Sequence, residues 1–257
     1  MPARTRTGPR TPSTRHGRTQ AERRATSEQR LLNATARVIA QRGTTGVSFA
    51  DIAKVAGCSH GLPGYLFGSK TDLLLALVDD ALERFRTDLV APAVGDARGL
   101  PALIGMQRAF LESLVRPLPY TRALYVMMSE TPALPPELQA AIRNHQERAR
   151  RLARTHLAEA IELGHIRPDV DPEAQAVLWF GTMRGIGQQV LLDPDAIDVP
   201  TVTEEAVGAM IRTLASDEWL ASGEWLASEE RDRGDIGEPT PRAQEPAANG
   251  GTDRADR

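Results

Sequence analysis

The chain has 257 residues, of which 41% are hydrophobic, and a formal net charge of −3. This composition is typical of a globular protein with one large or two small domains. The single cysteine, Cys58, excludes an intramolecular disulfide and a cysteine zinc site. There is no signal-peptide core and no apolar run of membrane-spanning length, so we expect a cytoplasmic protein without membrane association.

The charge is distributed unevenly along the chain. Residues 1–70 contain twelve Lys or Arg against three Asp or Glu, a net charge of +9, and the remainder carries −12. A basic head on an acidic body is typical of a protein whose head alone binds a polyanion. A solvated basic segment that binds nothing explains the charge equally well.

Residues 1–24 are rich in Arg, Thr, Pro and Gly, which predicts a disordered basic arm. Apolar residues at helical spacing follow, and Gly43 is a natural helix stop. Ser48 and Asp51 form a capping box that opens a second helix ending at Gly57. Ser59 is the predicted N-cap of a short third helix that contains Pro63.

A second capping box, Ser69 to Asp72, opens a long helix that reaches Phe85. Further helices are predicted over 100–116, 119–130, 135–163, 172–192 and 202–216, and no run has the alternation of a strand. The fold class is therefore all-α. The segment Glu218–Ser222 is repeated at Glu224–Ser228, and we interpret this as a local duplication that lengthens a tail.

Three short helices, with a tight turn between the second and the third, predict a helix-turn-helix unit that places one helix in the major groove of DNA. Gly61 and Gly64 remove side chains from that helix, which allows a close approach to phosphates or bases. A glycine-rich connector without a partner is the alternative. The flanking caps and the charge of +9 favour DNA.

The run from Leu31 to Leu82 resembles the N-terminal domain of the tetracycline-repressor (TetR) family of bacterial transcription regulators. The matching pieces are Leu31-Leu32-Asn33-Ala34, Arg42-Gly43, Val47-Ser48-Phe49-Ala50-Asp51-Ile52-Ala53, Ala56-Gly57-Cys58-Ser59-His60-Gly61, Tyr65-Leu66-Phe67-Gly68-Ser69-Lys70 and Leu73-Leu74. The C-terminal part, especially Arg122-Ala123-Leu124 and Gln188 to Asp195, resembles the ligand-binding and dimerisation domain of the same family.

The resemblance implies two domains and a set of DNA-binding residues. The domains are a DNA-binding domain (25–85, with the helix-turn-helix at 48–67) and a helical effector-binding and dimerisation domain (86–220), and the composition predicts a disordered arm (1–24) before them and a disordered tail (221–257) after them. The implied DNA-binding residues are Ser48, Ser59, His60, Gly61, Leu62, Gly64, Tyr65 and Lys70. Among them, Ser48 and Lys70 would contact phosphates.

The sequence departs from the family pattern at two places in the DNA-binding region. Ala50 stands where family members often carry Arg, and Pro63-Gly64 stands where Leu-Tyr is common. Base recognition therefore depends more on His60, Tyr65 and DNA shape.

The partners implied by the resemblance are an operator in double-stranded DNA, a small-molecule effector and a second copy of the chain, acting together as a repressor. Apolar residues of the C-terminal part are candidates to line the effector pocket: Phe110, Tyr125, Met128, Trp179 and Met183. Ordinary core packing is the alternative for each. Gly181 and Gly185 share a helix face, and we assign them to the dimer interface, with close packing inside one chain as the alternative.

An enzyme is the rival class, and the sequence gives it little support. It contains no dinucleotide fingerprint, nucleophile elbow, P-loop or zinc-protease motif. His145, His156 and His165 are too far apart for a metal-binding pair on one helix, and we interpret them as surface histidines. We expect no catalytic residue, metal or cofactor.

Overall fold

The computed structural model describes residues 19–115 and 117–223. Every regular element in these residues is helical, apart from an isolated antiparallel bridge between Ile166 and Ala215. The α-helices are α1 (Gln20–Arg42), α2 (Phe49–Ala56), α3 (Leu62–Phe67), α4 (Lys70–Arg84), α5 (Ala91–Val94), α6 (Gly99–Glu112), α7 (Pro119–Ser129), α8 (Pro136–Glu162), α9 (Pro172–Leu192), α10 (Val199–Leu214) and α11 (Asp217–Ser222). The all-α prediction is confirmed.

Helix α1 begins earlier than the sequence pattern predicts. Thr19 caps it, and the Thr19 hydroxyl accepts from the Glu22 amide while the Glu22 carboxylate accepts from the Thr19 amide at 2.8 Å. The prediction of disorder is therefore wrong for residues 20–24, which carry a capping box that the arginine-rich composition masked. Residues 1–18 of the predicted arm lie outside the described residues.

The helix-turn-helix is formed by α2 and α3, and local signals account for most of it. Ser48 and Asp51 make the predicted capping box, and Gly57 ends α2 in the left-handed conformation with φ 62°. Ser59 is not the N-cap of α3. That helix starts after Gly61, without a side-chain cap, so Pro63 lies in its first turn, where the missing amide costs nothing.

Helix α4 continues through a π-helical turn, Phe85–Val90, into α5 without leaving helical backbone angles. The cause is Pro92, whose ring would collide with the carbonyl four residues earlier and which has no amide to donate. A widened turn just before a proline relieves that collision. The predicted domain boundary after residue 85 falls inside this continuous helix.

We call the first four helices, α1 to α4, the head and the helices that follow them the body. The head and the body share one hydrophobic core. Apolar residues of α1, α2 and α4 pack together with side chains from α7 and α8, among them Tyr120, Leu124, Met127, Leu138 and Ile142. A second core joins α6, α8, α9 and α10. Because α7 and α8 bridge head and body, a displacement of either helix acts on both.

The C-terminal boundary also differs from the prediction. The first copy of the duplicated segment forms α11, capped by Ser216, and Trp219 is buried with 4% exposure in the second core. The interpretation of this copy as a tail is therefore wrong, because its tryptophan buries a large apolar surface. The second copy, Glu224–Ser228, lies outside the described residues.

Candidate DNA-binding surface and effector cavity

The residues assigned to DNA surround α3 and the ends of its neighbouring helices. Ser48, Ser59, His60, Gly61 and Tyr65 are exposed. Tyr65 is 76% exposed, which excludes a core role for this tyrosine. These five residues therefore lie where a nucleic acid could contact them.

The remaining three assigned residues are partly buried. Leu62 packs against the head core with Leu66 and Phe67. A Cβ on Gly64 would lie 3.6 Å from the Phe49 ring, so Gly64 faces α2, whereas nothing lies within 4 Å of the same position on Gly61. Of the two glycines, only Gly61 leaves open space at the surface.

Lys70 stands at the start of α4, as predicted, but its ammonium already has a protein partner. Its Nζ donates to the carbonyl oxygen of Thr44 at 2.8 Å. An ammonium has three donors, so this bond leaves capacity for a phosphate oxygen. The bond also fixes the loop that leads into Ser48 and α2.

Two further contacts rigidify the helix-turn-helix. The Asp51 carboxyl lies 3.5 Å from the Arg42 guanidinium, and its hydrogen bond from the Ser48 hydroxyl lowers its pKa below the ordinary value. Arg30 on α1 donates to the carbonyl oxygen of Gly57 at 3.3 Å. The turn between α2 and α3 is thereby tied to α1.

A carboxylate of the body also holds the head. Glu130, at the carboxyl end of α7, accepts from the Thr44 amide at 2.9 Å and from the Thr44 hydroxyl at 2.5 Å. We call this contact the Glu130 clasp. A Cβ on Gly43, whose φ is 74°, would lie 2.5 Å from Glu130 Oε1, so only glycine admits the carboxylate.

The clasp places a negative charge at the carboxyl ends of two helices, α1 and α7. Both macrodipoles disfavour an anion at that end. The helix ends therefore do not stabilise the Glu130 carboxylate, and its hydrogen bonds from the Thr44 amide and hydroxyl must offset this electrostatic cost. No feature of the sequence around Glu130 indicated this role, because Thr44 is 86 positions away.

The body contains a cavity of about 510 Å³ between α4, the π-helical turn, α6, α7, α8 and α9. All five residues predicted for the effector pocket line it: Phe110, Tyr125, Met128, Trp179 and Met183. Phe110 contacts the rings of both Phe85 and Tyr125, at centroid distances of 5.8 Å and 6.1 Å. The volume and the apolar wall are those of a small-molecule site.

Polar groups that the sequence analysis missed also line the cavity. The Tyr125 hydroxyl and the Trp179 indole nitrogen are buried and have no hydrogen-bond partner within the described residues. His145, Arg148 and Arg184 line the same cavity. Burial, followed by the charges of Arg148 and Arg184, lowers the pKa of His145 to about 4, so this imidazole is neutral near pH 7.

The interpretation of the three histidines as surface residues is wrong. His145 lines the cavity, His156 has a side-chain exposure of 17% and lies 3.5 Å from Glu159, and His165 stacks on Trp219. Across residues 19–115 and 117–223, no group of three or more potential metal-ligating side chains is found. In the same residues, no helix is long and apolar enough to cross a membrane.

Helix α9 presents one exposed apolar face. Gly181 and Gly185 are exposed and have no atom within 4 Å of a Cβ placed on them, so they do not mediate close packing inside the subunit. Val177, Leu178 and Leu192 are exposed by 52%, 59% and 83%. Gly187 differs, because a Cβ there would lie 2.2 Å from the Tyr125 hydroxyl.

Comparison with known families agrees with both halves of this architecture. The family model described as "Bacterial regulatory proteins, tetR family" matches residues 31–77, and "Tetracyclin repressor-like, C-terminal domain" matches residues 99–204. Together the two matches span more than half of the chain. The chain belongs to the tetracycline-repressor family. Members of this family are transcription regulators, and the helix-turn-helix seen here is its DNA-binding unit.

Individual relatives match different lengths of the chain. The HTH-type transcriptional regulator BetI of Rhizobium meliloti is 43% identical over 61 residues, which are 24% of this chain and only 30% of BetI. The regulator TtgR of Pseudomonas putida is 27% identical over 191 residues, 71% of this chain and 88% of TtgR.

A solved structure, that of AibR in complex with isovaleryl coenzyme A and operator DNA, aligns with a TM-score of 0.60 and 21% identity. The alignment covers 74% of this chain and 98% of AibR. At this identity the similarity shows the fold.

Proposed function

We propose that the chain is a homodimeric repressor that binds a pseudo-palindromic operator and releases it when a small, largely apolar molecule occupies the cavity. One observation carries the proposal: α7 lines the cavity with Tyr125 and Met128 and also holds the head through the Glu130 clasp. The AibR structure, which contains both operator DNA and a small molecule, supports the pairing of the two activities.

The proposed DNA contacts use the exposed residues around α3. Ser48 and Lys70 bind phosphates at the helix starts, and His60, Gly61 and Tyr65 approach the bases. The exposed Ser59 also contacts the DNA, whereas Leu62 and Gly64 pack against the core and against α2 and hold α3 in place. We also propose that the basic segment before Thr19 follows the DNA beside the main contact.

The proposed dimer interface is the exposed face of α9. Gly181 and Gly185 allow a close approach, and Val177, Leu178 and Leu192 supply apolar area that is exposed in the subunit. Two linked heads bind half-sites about 34–36 Å apart or a multiple of that distance. The second head gains affinity by effective concentration.

The proposed release of the operator depends on α7, which lines the cavity and also contacts the head. An effector that favours another position of α7 displaces Glu130 and with it Thr44, the anchor of both the α1–α2 loop and Lys70. Operator affinity then falls by the factor by which the effector prefers the displaced state. We place this activity in the cytoplasm, without metal, cofactor or catalytic step.

The test begins with the selection of bound DNA from a random pool by the full chain. We expect enrichment of a pseudo-palindrome, whose complex in a band shift weakens as salt rises. Lack of enrichment, with binding that is equal for all sequences, would contradict the repressor proposal.

A further inference from the structure

Some of the charged side chains that line the cavity have no ion-pair partner. On the α4 side, Glu83 and Arg86 pair with each other at 2.6 Å, and Asp79 is exposed. Arg148 of α8 and Arg184 of α9 also line the cavity, and in the part of the chain that the structure describes neither has an ion pair or a hydrogen bond. Arg148 and Arg184 therefore face the cavity without an ion pair, although the carboxylate of Asp79 lines the same cavity.

The lack of a partner distinguishes Arg148 from its neighbours. On the same helix, Arg150 pairs with Glu147 at 2.9 Å, and Arg154 pairs with Glu173. Carboxylates of α8 and α9 are thus available and are used by the adjacent arginines. Arg184 is partly buried, and an incompletely solvated charge without a partner is costly. A ligand that supplies the missing negative charge removes this cost.

Neutral donors also line the cavity. The Tyr125 hydroxyl is buried and unpaired, and the charge of Arg184 acts on both Tyr125 and His145. The Trp179 indole N–H is likewise unpaired and can only donate. A cavity that combines these donors and cations with an apolar wall fits a ligand that has acceptor oxygens at one end.

We propose that the effector is an amphipathic anion, with an apolar or aromatic body in the cavity and a carboxylate or a similar acidic group bound by Arg184 and Arg148. Arg184, which is partly buried, forms the main contact, and the exposed Arg148 adds a weaker one. This inference rests on the proposed effector site. It specifies the chemical class of the effector, which the apolar wall alone does not define.

Two fluorescent probes with the same ring skeleton separate charge from apolar binding. 8-Anilinonaphthalene-1-sulfonate carries an anionic group, and N-phenyl-1-naphthylamine lacks it. Both are titrated into the full chain and into the variants Arg184→Gln and Arg148→Gln. Arg143→Gln is the matched control, because Arg143 lies on α8, is exposed and does not line the cavity.

We expect Arg184→Gln to weaken sulfonate binding by about tenfold or more, the loss typical of a hydrogen bond to a charged group. The neutral probe should change by less than about twofold, since dispersion and apolar burial are retained. Arg148→Gln should give a smaller loss and Arg143→Gln none. Arg184→Lys, which keeps the charge, should restore part of the sulfonate affinity.

Two other outcomes have distinct meanings. Equal effects of Arg184→Gln on both probes, or no effect on the sulfonate, would overturn the anion proposal and leave the cavity as the effector site. Ala149→Trp, which places a large side chain on the cavity wall, should block both probes. If both still bind unchanged to a folded Ala149→Trp variant, the probes do not occupy the cavity, and the proposed effector site is overturned as well.

Discussion

The Glu130 clasp offers the sharpest test of the connection between head and body, through the substitution Glu130→Ala. The substitution removes two hydrogen bonds to a charged acceptor, at 2.9 Å and 2.5 Å. Each such bond is worth about 1.5–3 kcal/mol. The substitution also removes the unfavourable interaction between the carboxylate and the carboxyl ends of α1 and α7. This restores roughly 0.3–1 kcal/mol of stability for each helix.

The net loss in the free energy of unfolding is therefore about 2–4 kcal/mol, which a domain with a stability of about 5–15 kcal/mol survives. Operator affinity should fall in addition, because the loop before Ser48 loses its anchor. Urea unfolding measures the first quantity. Fluorescence anisotropy with the selected operator, at a temperature at which the variant is folded, measures the second.

A matched control and a double-mutant cycle complete the design. Glu162→Ala removes an exposed carboxylate near the end of α8 and should change neither quantity. Thr44→Val removes the hydroxyl donor alone, and its cycle with Glu130→Ala should give a coupling of about 1–2 kcal/mol. Unchanged operator affinity of folded Glu130→Ala would refute the reasoning that the clasp positions the head.

Three further predictions concern the DNA surface, the dimer and the cavity. Lys70→Ala should weaken binding to every DNA sequence and flatten the salt dependence by about 0.9 of a unit of slope, measured by anisotropy. It should also cost about 1.5–3 kcal/mol of stability, because the bond from its ammonium to Thr44 is lost. The double substitution of Gly181 and Gly185 by Leu should give folded monomers in sedimentation that bind the operator weakly. When the pH is lowered from 6.5 to 4, the His145→Gln variant should lose less stability than the wild type.

The sign of the last effect follows from the lowered pKa. Below pH 6.5 the unfolded chain binds a proton at His145, whereas the folded chain does not until about pH 4. The contribution of neutral His145 to the free energy of unfolding is fully present above pH 6.5, and roughly 2 kcal/mol of it is lost at pH 5. Parallel pH profiles of wild type and variant would show instead that His145 is protonated equally in both states.

The other two predictions can fail in equally clear ways. A Lys70→Ala variant that binds random DNA unchanged but the operator weakly would identify Lys70 as a base-reading residue. A Gly181→Leu, Gly185→Leu variant that stays dimeric and binds DNA would remove α9 from the interface. In that case the apolar face of α9 would need another explanation.

The sequence by itself determined the features that depend on short-range interactions. The capping box at Ser48, the N-cap at Ser69 and the stop at Gly57 act within a few residues, and they place α2 and α4 correctly, although Asp72 does not complete the box predicted at Ser69. Apolar spacing identified the five long helices of the body, but it missed the short helices α5 and α11. It also selected five residues that line the cavity, because large apolar side chains on amphipathic helices point inwards.

Only the tertiary structure decided which distant residues meet. Arg148 and Arg184 resemble any other arginines in the sequence, and their isolation from carboxylates depends on how α8 and α9 pack. Gly185 and Gly187 are two positions apart, yet one is open and the other contacts Tyr125. Glu130 reaches Thr44 across 86 positions. Such contacts depend on the packing of whole helices, which fixes the distance and the orientation between side chains that no local pattern relates.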